Sequence, residues 1–266
     1  MKRIEPPGLD AIDWSRPWLA DWSVRGRRVA SRTACIGLIE ALNEALAEAF
    51  DDGLVLDAGP LRFVEHAELP ADEAYETFIA RTACVPTRPN LHDFFNALAW
   101  CAHPALKRRL NELQATQIAG DPRRSTRGAV RDSLTLLDEN GALLRAPPPL
   151  IEALFRRDWQ GLFTTYRAAW GEARLGLFGH ALIEKLLQPR AAITAHVWLV
   201  PEGLGSMSDC LARTLAPTQL ACKPFAPLPV LGVPGWWAAN MWPAFYRDTT
   251  VFRPPSKETA ARGPPF

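Results

Sequence analysis

The sequence predicts an α+β fold, predominantly helical, forming a single domain with one β-hairpin and a few short strands. Three observations carry this expectation. Residues 88–103, RPNLHDFFNALAWCAH, set Leu91, Phe94, Phe95, Leu98 and Ala102 at i, i+3, i+4, i+7 and i+11, one apolar helical stripe. Residues 192–200, AITAHVWLV, are apolar and β-branched over the length of a strand. Between them, SLTLLDENGALLRA joins two apolar runs through Asn140-Gly141, a strong hairpin signal.

Taken in order, residues 1–30 read as an irregular N-terminal segment, 31–254 as one globular domain, and 255–266 as a disordered tail. Trp14, Trp18 and Trp22 share an i, i+4, i+8 spacing, an aromatic face for the body of the protein or for a partner. Cys35, Leu38, Ile39, Leu42, Leu46 and Phe50 form the buried side of a helix over 31–50, closed by Asp51-Asp52-Gly53. Short strands at 54–56 and 61–64 flank Gly59-Pro60, and a helix over 70–83 turns Tyr75, Phe78 and Ile79 inward. Asn90 suits the N-cap of the next helix, since Pro89 disfavours helix at Arg88, and Asp93 lies within reach of the free amides. Pro104 fits the first position of the helix after it, where Leu106, Leu110 and Leu113 form the seam and Asn111 and Gln114 a polar face. Residues 121–128 form a loop, and the pattern turns helical again from 149 to 187. The hairpin fully accounts for Asp138 and Glu139 as turn residues, which keeps them out of any site.

Composition narrows the function. The chain has 266 residues, with Lys+Arg 30 against Asp+Glu 29, so no global field recruits nucleic acid or an anionic membrane. The arginines at 123, 124, 127 and 131 are bracketed by Asp121 and Asp132, which dilutes their field and makes nucleic acid a poor partner. Five cysteines without a CxxC argue for a reduced compartment, and with no apolar leader the expected location is cytoplasmic. Residues 224–246 carry no formal charge, yet their prolines rule out a membrane helix. Gly203-Leu204-Gly205 lacks its third glycine, and Ser206 with Asp209 is better read as a helix cap than as part of a dinucleotide site.

What remains for chemistry is a set of histidines and carboxylates. His180 and Glu184 stand four apart on one helix face and His196 projects from the strand; these three are the expected ligands of one divalent metal such as zinc. His92, Asp93 and Asn96 would be the catalytic groups, and Arg88, Asn90 and Lys185 would hold a small, anionic substrate. Without metal, His92 with Asp93 or Glu184 would act as base and orienter. No GxSxG is present, and no cysteine has an activating neighbour in sequence. The reading is a hydrolase-like enzyme. The competing reading is a non-enzymatic binding or assembly module, whose partner is another protein chain docked on the tryptophan-rich surface.

Several segments together, RPNLHDFFNALAW, LNELQ, RDSLTLLDENGA, FGHALIEKLL, ITAH, LPVLGVPGWW and FYRDTTVFRP, resemble a bacterial family of uncharacterised proteins, domain of unknown function 3025. The resemblance spans roughly residues 61–254 and implies a single-domain, cytoplasmic protein. It supplies no catalytic residue, so the site rests on chemistry alone.

Overall fold

The computed structural model describes residues 8–50, 53–120 and 128–255. A helical hairpin opens it, α1 (Ala20–Ile36) and α2 (Leu38–Ala49). The single helix expected over 31–50 divides at Gly37, whose φ of 92° lies in the left-handed region that glycine reaches without strain. The segment read as irregular, with a short helix allowed by its tryptophan spacing, enters α1 through a 3-10 turn at Pro17–Leu19. Trp14, Trp18 and Trp22 are all buried, so their shared face packs on the body and offers no surface to a partner. Trp14 lies against Phe94 and Phe95, and its ring sits so close over Gly26 that a Cβ there would come within 2.1 Å of it. Trp22 donates its indole N–H to the Leu177 carbonyl.

β1 (Val55–Leu56) and β2 (Gly59–Pro60) pair antiparallel. β3 (Arg62–Glu65) and β4 (Cys84–Thr87) pair parallel, joined through α3 (Tyr75–Thr82). Then come α4 (Leu91–Ala102) and α5, which starts at Pro104 as expected (Pro104–Gly120). α4 is buried all round from Asp93 to Cys101 rather than along one stripe, because α1, α2, α5 and α8 all pack on it.

The expected hairpin is not present. Residues 129–140 form α6 (Ala129–Asn140), and β5 (Gly141–Arg145) begins at the next residue. Leu134 and Leu137, three apart, are the buried pair, with Ser133 beside them, so the helical period wins over the apparent alternation. The remaining elements are α7 (Pro148–Arg156), β6 (Arg174–Leu177), α8 (His180–Lys185), β7 (Thr194–Leu199), α9 (Met207–Thr214), α10 (Pro217–Ala221) and β8 (Ala226–Pro229). β6 interrupts the helical run expected from 149 to 187. β5 and β7 are parallel neighbours at the centre of a sheet ordered β6-β5-β7-β8, with β6 and β8 antiparallel at its edges.

Ser206 caps α9 as the sequence suggests, accepting from the Asp209 amide. The uncharged run 224–246 supplies β8 and a series of 3-10 turns, pinned by buried Asn240, which donates to the Leu231 and Val233 carbonyls. Among the described residues no helix is long and apolar enough to cross a membrane. Arg123, Arg124 and Arg127 and the tail from 256 onward lie outside the described residues.

One close approach positions the site. Gly179 donates to the Gly141 carbonyl, and a Cβ on it would fall 2.5 Å from the Asn140 and Gly141 nitrogens and from the Glu139 carbonyl oxygen. Only glycine lets the start of α8 touch the end of α6 here. His180 is thereby set beside Asp138 and Glu139.

Candidate functional site

The N-terminus of α4, the C-terminus of α6 and the N-terminus of α8 converge on a cavity of about 280 Å³. Asn90 caps α4 as expected, its side chain accepting from the Asp93 amide at 2.7 Å. The first turn of α4 then projects His92 across to α8. His92 Nε2 faces His180 Nε2 at 3.2 Å, with the ring centroids 4.6 Å apart. Behind His92, Nδ1 lies 3.1 Å from Glu184 Oε2. A carboxylate only accepts, so Glu184 keeps the proton of neutral His92 on Nδ1 and leaves the Nε2 lone pair turned to His180. His180 Nε2 is 3.6 Å from Glu139 Oε1, and its Nδ1 is 4.0 Å from Asp138 Oδ2.

Lys107, on α5, anchors this arrangement from beneath. It is buried, donates to Asp138 Oδ1 at 2.6 Å and to Asn96 Oδ1 at 2.8 Å, and lies 5.5 Å from the centre of the Trp100 ring. Burial pushes the Asp138 carboxyl up, but the charge and hydrogen bond of Lys107, joined in acid solution by the charges of protonated His180 and His92, outweigh it and hold Asp138 below its ordinary range. Burial also brings the His180 imidazole down to about 4; Asp138 opposes this, and Lys107 and His92 add to it. His180 is therefore neutral near pH 7. Glu139 is raised, by burial first and by its neighbour Asp138, against the pull of His92, Lys107 and Lys185.

The structure brings together only part of the expected site. His92, His180 and Glu184 meet, with Glu184 behind His92 rather than beside His180. Asp93 and Asn96 also line the cavity but serve other partners. Asp93 accepts from the Arg88 amide at 2.7 Å and pairs with its guanidinium, and Asn96 bridges Tyr75 and Lys107. Arg88 is thus neutralised, and Lys185 donates to Asn140 at the end of α6. His196 is elsewhere: its ring meets Phe225 edge-on, and among the described residues the group with metal-holding spacing is His92, Glu139 and His180, whose ligand atoms lie within 4.8 Å of one another. The reason is topological. β7 pairs His196 with Gly141 and Pro227 inside the sheet, and the ring turns to Phe225 without joining the cavity lining.

Three residues of the site, Lys107, Asp138 and Glu139, escape the sequence reading. The hairpin absorbed the two acids. As the last turn of a helix they oppose the macrodipole, an unfavourable placement that calls for a compensating cation. Lys107 had a signal too: with Asn111 and Gln114 it forms a polar stripe at i, i+4, i+7, and all three are buried. None of the five cysteines lines the cavity.

Fold and site together define a helix-rich α+β protein with a paired-histidine, carboxylate-lined cavity. Residues 61–256 match the family described as protein of unknown function (DUF3025), and the chain belongs to that family. No curated protein and no solved structure matches it. The matched region contains every residue of the cavity site.

Proposed function

We propose that the protein is a hydrolase-like enzyme acting on a small molecule, and that His92 Nε2, His180 Nε2 and Glu139 hold one divalent cation at the wall of the cavity. The observation that carries this is the 3.2 Å approach of two Nε2 atoms, with Glu184 hydrogen-bonded behind the His92 ring and Asp138 4.0 Å behind that of His180. Two imidazoles on one tetrahedral ion, with bonds of about 2.0–2.1 Å, place their nitrogens roughly 3.3 Å apart. Carboxylates behind the opposite ring nitrogens are the usual means of orienting such ligands. The balance of charge points the same way. Among the described residues, Arg88 and Lys107 are the cavity's cations against Glu76, Asp93, Asp138 and Glu139, an excess of two negative charges.

A divalent ion held there supplies a water of lowered pKa, near 7 in favourable sites. The chain's own residues do the rest. Glu184 orients the His92 imidazole, Lys107 keeps Asp138 ionised 4.0 Å from His180 Nδ1, and Asn96 is held between Lys107 and Tyr75 as a fixed amide at the cavity wall. Asp93 occupies the Arg88 guanidinium, which removes the group expected to receive an anion. His92 is the most accessible imidazole of the pair and would move protons if the ion were absent, with Glu184 as its orienter. Of the surface on which the binding-module reading rested, Trp14, Trp18 and Trp22 are buried, whereas Trp242 is exposed beside Met241.

Elemental analysis of protein purified without an affinity tag is expected to show about one divalent ion per chain. His92→Ala and His180→Ala should lose it. Glu184→Gln should weaken binding by about 10–100-fold, and His196→Ala should leave the content unchanged. Wild-type protein that binds no ion more tightly than His180→Ala would overturn the reading.

A further inference from the structure

The cavity extends well beyond the histidines. Lys107, Asn111 and Gln114 succeed one another along α5, so Gln114 lies about 10 Å from Lys107 at a rise of 1.5 Å per residue. Here the walls change character. The Asn111 amide donates to the Glu76 carbonyl, and the Gln114 amide nitrogen to Thr135 Oγ1 at 3.2 Å. Gln114 is 6% exposed, and its Oε1 accepts no hydrogen bond. A buried carbonyl oxygen without a donor is costly, by about 1–3 kcal/mol, unless a bound group supplies one.

Charge sharpens this. Asp93 is committed to Arg88 and Asp138 to Lys107, while Glu139 belongs to the histidine end. Among the described residues, Glu76 is the remaining carboxylate of the cavity and has no ion-pair partner. Among the described residues both cations of the cavity are paired, and neither is left to meet an anionic group. A cationic group with several N–H donors would meet Glu76 and supply the donor that Gln114 lacks.

We infer that this end of the cavity receives a protonated amidine or amine of the substrate. The inference rests on the reading of the cavity as a substrate site, and it adds the class of substrate. Three probes of one shape, benzamidine, benzamide and benzoate, separate charge from size. Titrated by calorimetry into the metal-free full-length protein, where no zinc is present to take up a carboxylate, benzamidine is expected to bind at least tenfold more tightly than benzamide, and benzoate not at all. Glu76→Gln, at a partly exposed position that tolerates the change, and Gln114→Leu should each remove most of that preference without altering the zinc content. Equal binding of the three probes, tighter binding of benzoate, or a preference untouched by Glu76→Gln would overturn the inference. So would a second zinc equivalent that Glu76→Gln abolishes, since the charge excess would then serve a metal pair. A benzamidine preference in protein that binds no zinc would sink the metal reading alone; zinc binding without the preference would sink this inference alone.

Discussion

Lys107 has its ammonium between Asp138 and Asn96 with Trp100 alongside, and almost none of it reaches solvent. Removing one partner of such a pair leaves the other uncompensated. Lys107→Ala is expected to cost roughly 2–4 kcal/mol in urea unfolding, below the full figure for a buried pair because Asp138 keeps some contact with water. Lys107→Ala combined with Asp138→Ala should cost clearly less than the sum of the single changes; strict additivity would deny the coupling. At this scale the sequence was informative where spacing alone decides, as with His180 and Glu184 on one face of α8, and with His92 beside the cap of α4. It misled where an adequate local explanation existed. Asp138 and Glu139 had a complete role as turn residues, and His196 had the alternation of a strand to place it but nothing to say which part of the molecule its face would meet.

The site depends, as a set of elements, on the contact between the end of α6 and the start of α8. Gly179→Ala would drive a methyl group into backbone atoms of residues 139–141, which have no flexible end to move aside. Stability should fall by about 1–3 kcal/mol, and zinc affinity by at least tenfold because His180 withdraws from His92. Calorimetric titration of zinc into a folded Gly179→Ala variant checks this, and unchanged affinity would mean that the junction does not set the ligand geometry. Gly26→Ala tests a different contact, displacing Trp14 from α1 while leaving zinc affinity intact. The elements themselves were largely legible. Proline and cap signals placed the starts of α4, α5 and α9 well. Besides the division at Gly37 and β6 within the run 149–187, the main departure, α6 running straight into β5, follows from Leu134, Leu136 and Leu137, a triplet compatible with either period until burial selects Leu134 and Leu137.

Across the whole molecule, two buried imidazoles couple folding to pH. His103, which packs against Trp22 and Phe178, is brought down to about 4 by burial first, with Arg25 and Lys107 adding to it and Asp209 opposing, and His180 also sits at about 4. In the unfolded chain both titrate near 6.5, so between 6.5 and 4 the unfolded state holds more protons and stability falls as pH falls. The loss is at most roughly 3 kcal/mol for each; Asp138, held below its usual 3.8, adds its own loss only in more acidic solution. Urea midpoints of the metal-free protein should therefore drop from pH 7 to pH 4.5, and His103→Gln should flatten part of that slope. A flat profile would show that these rings take up protons in the folded state as readily as in the unfolded chain. At this scale the class of fold was legible from composition and period. The strand order was not, because the pairing of β5 with β7 joins segments about fifty residues apart by contacts that no local pattern encodes. The paired-histidine centre is tested most directly by anomalous diffraction, at the zinc absorption edge, from crystals of the full chain grown with one equivalent of zinc. It requires a single strong peak about 2 Å from both His92 Nε2 and His180 Nε2 with Glu139 turned toward it; a site between the rings without anomalous signal, or zinc bound only elsewhere, would contradict it.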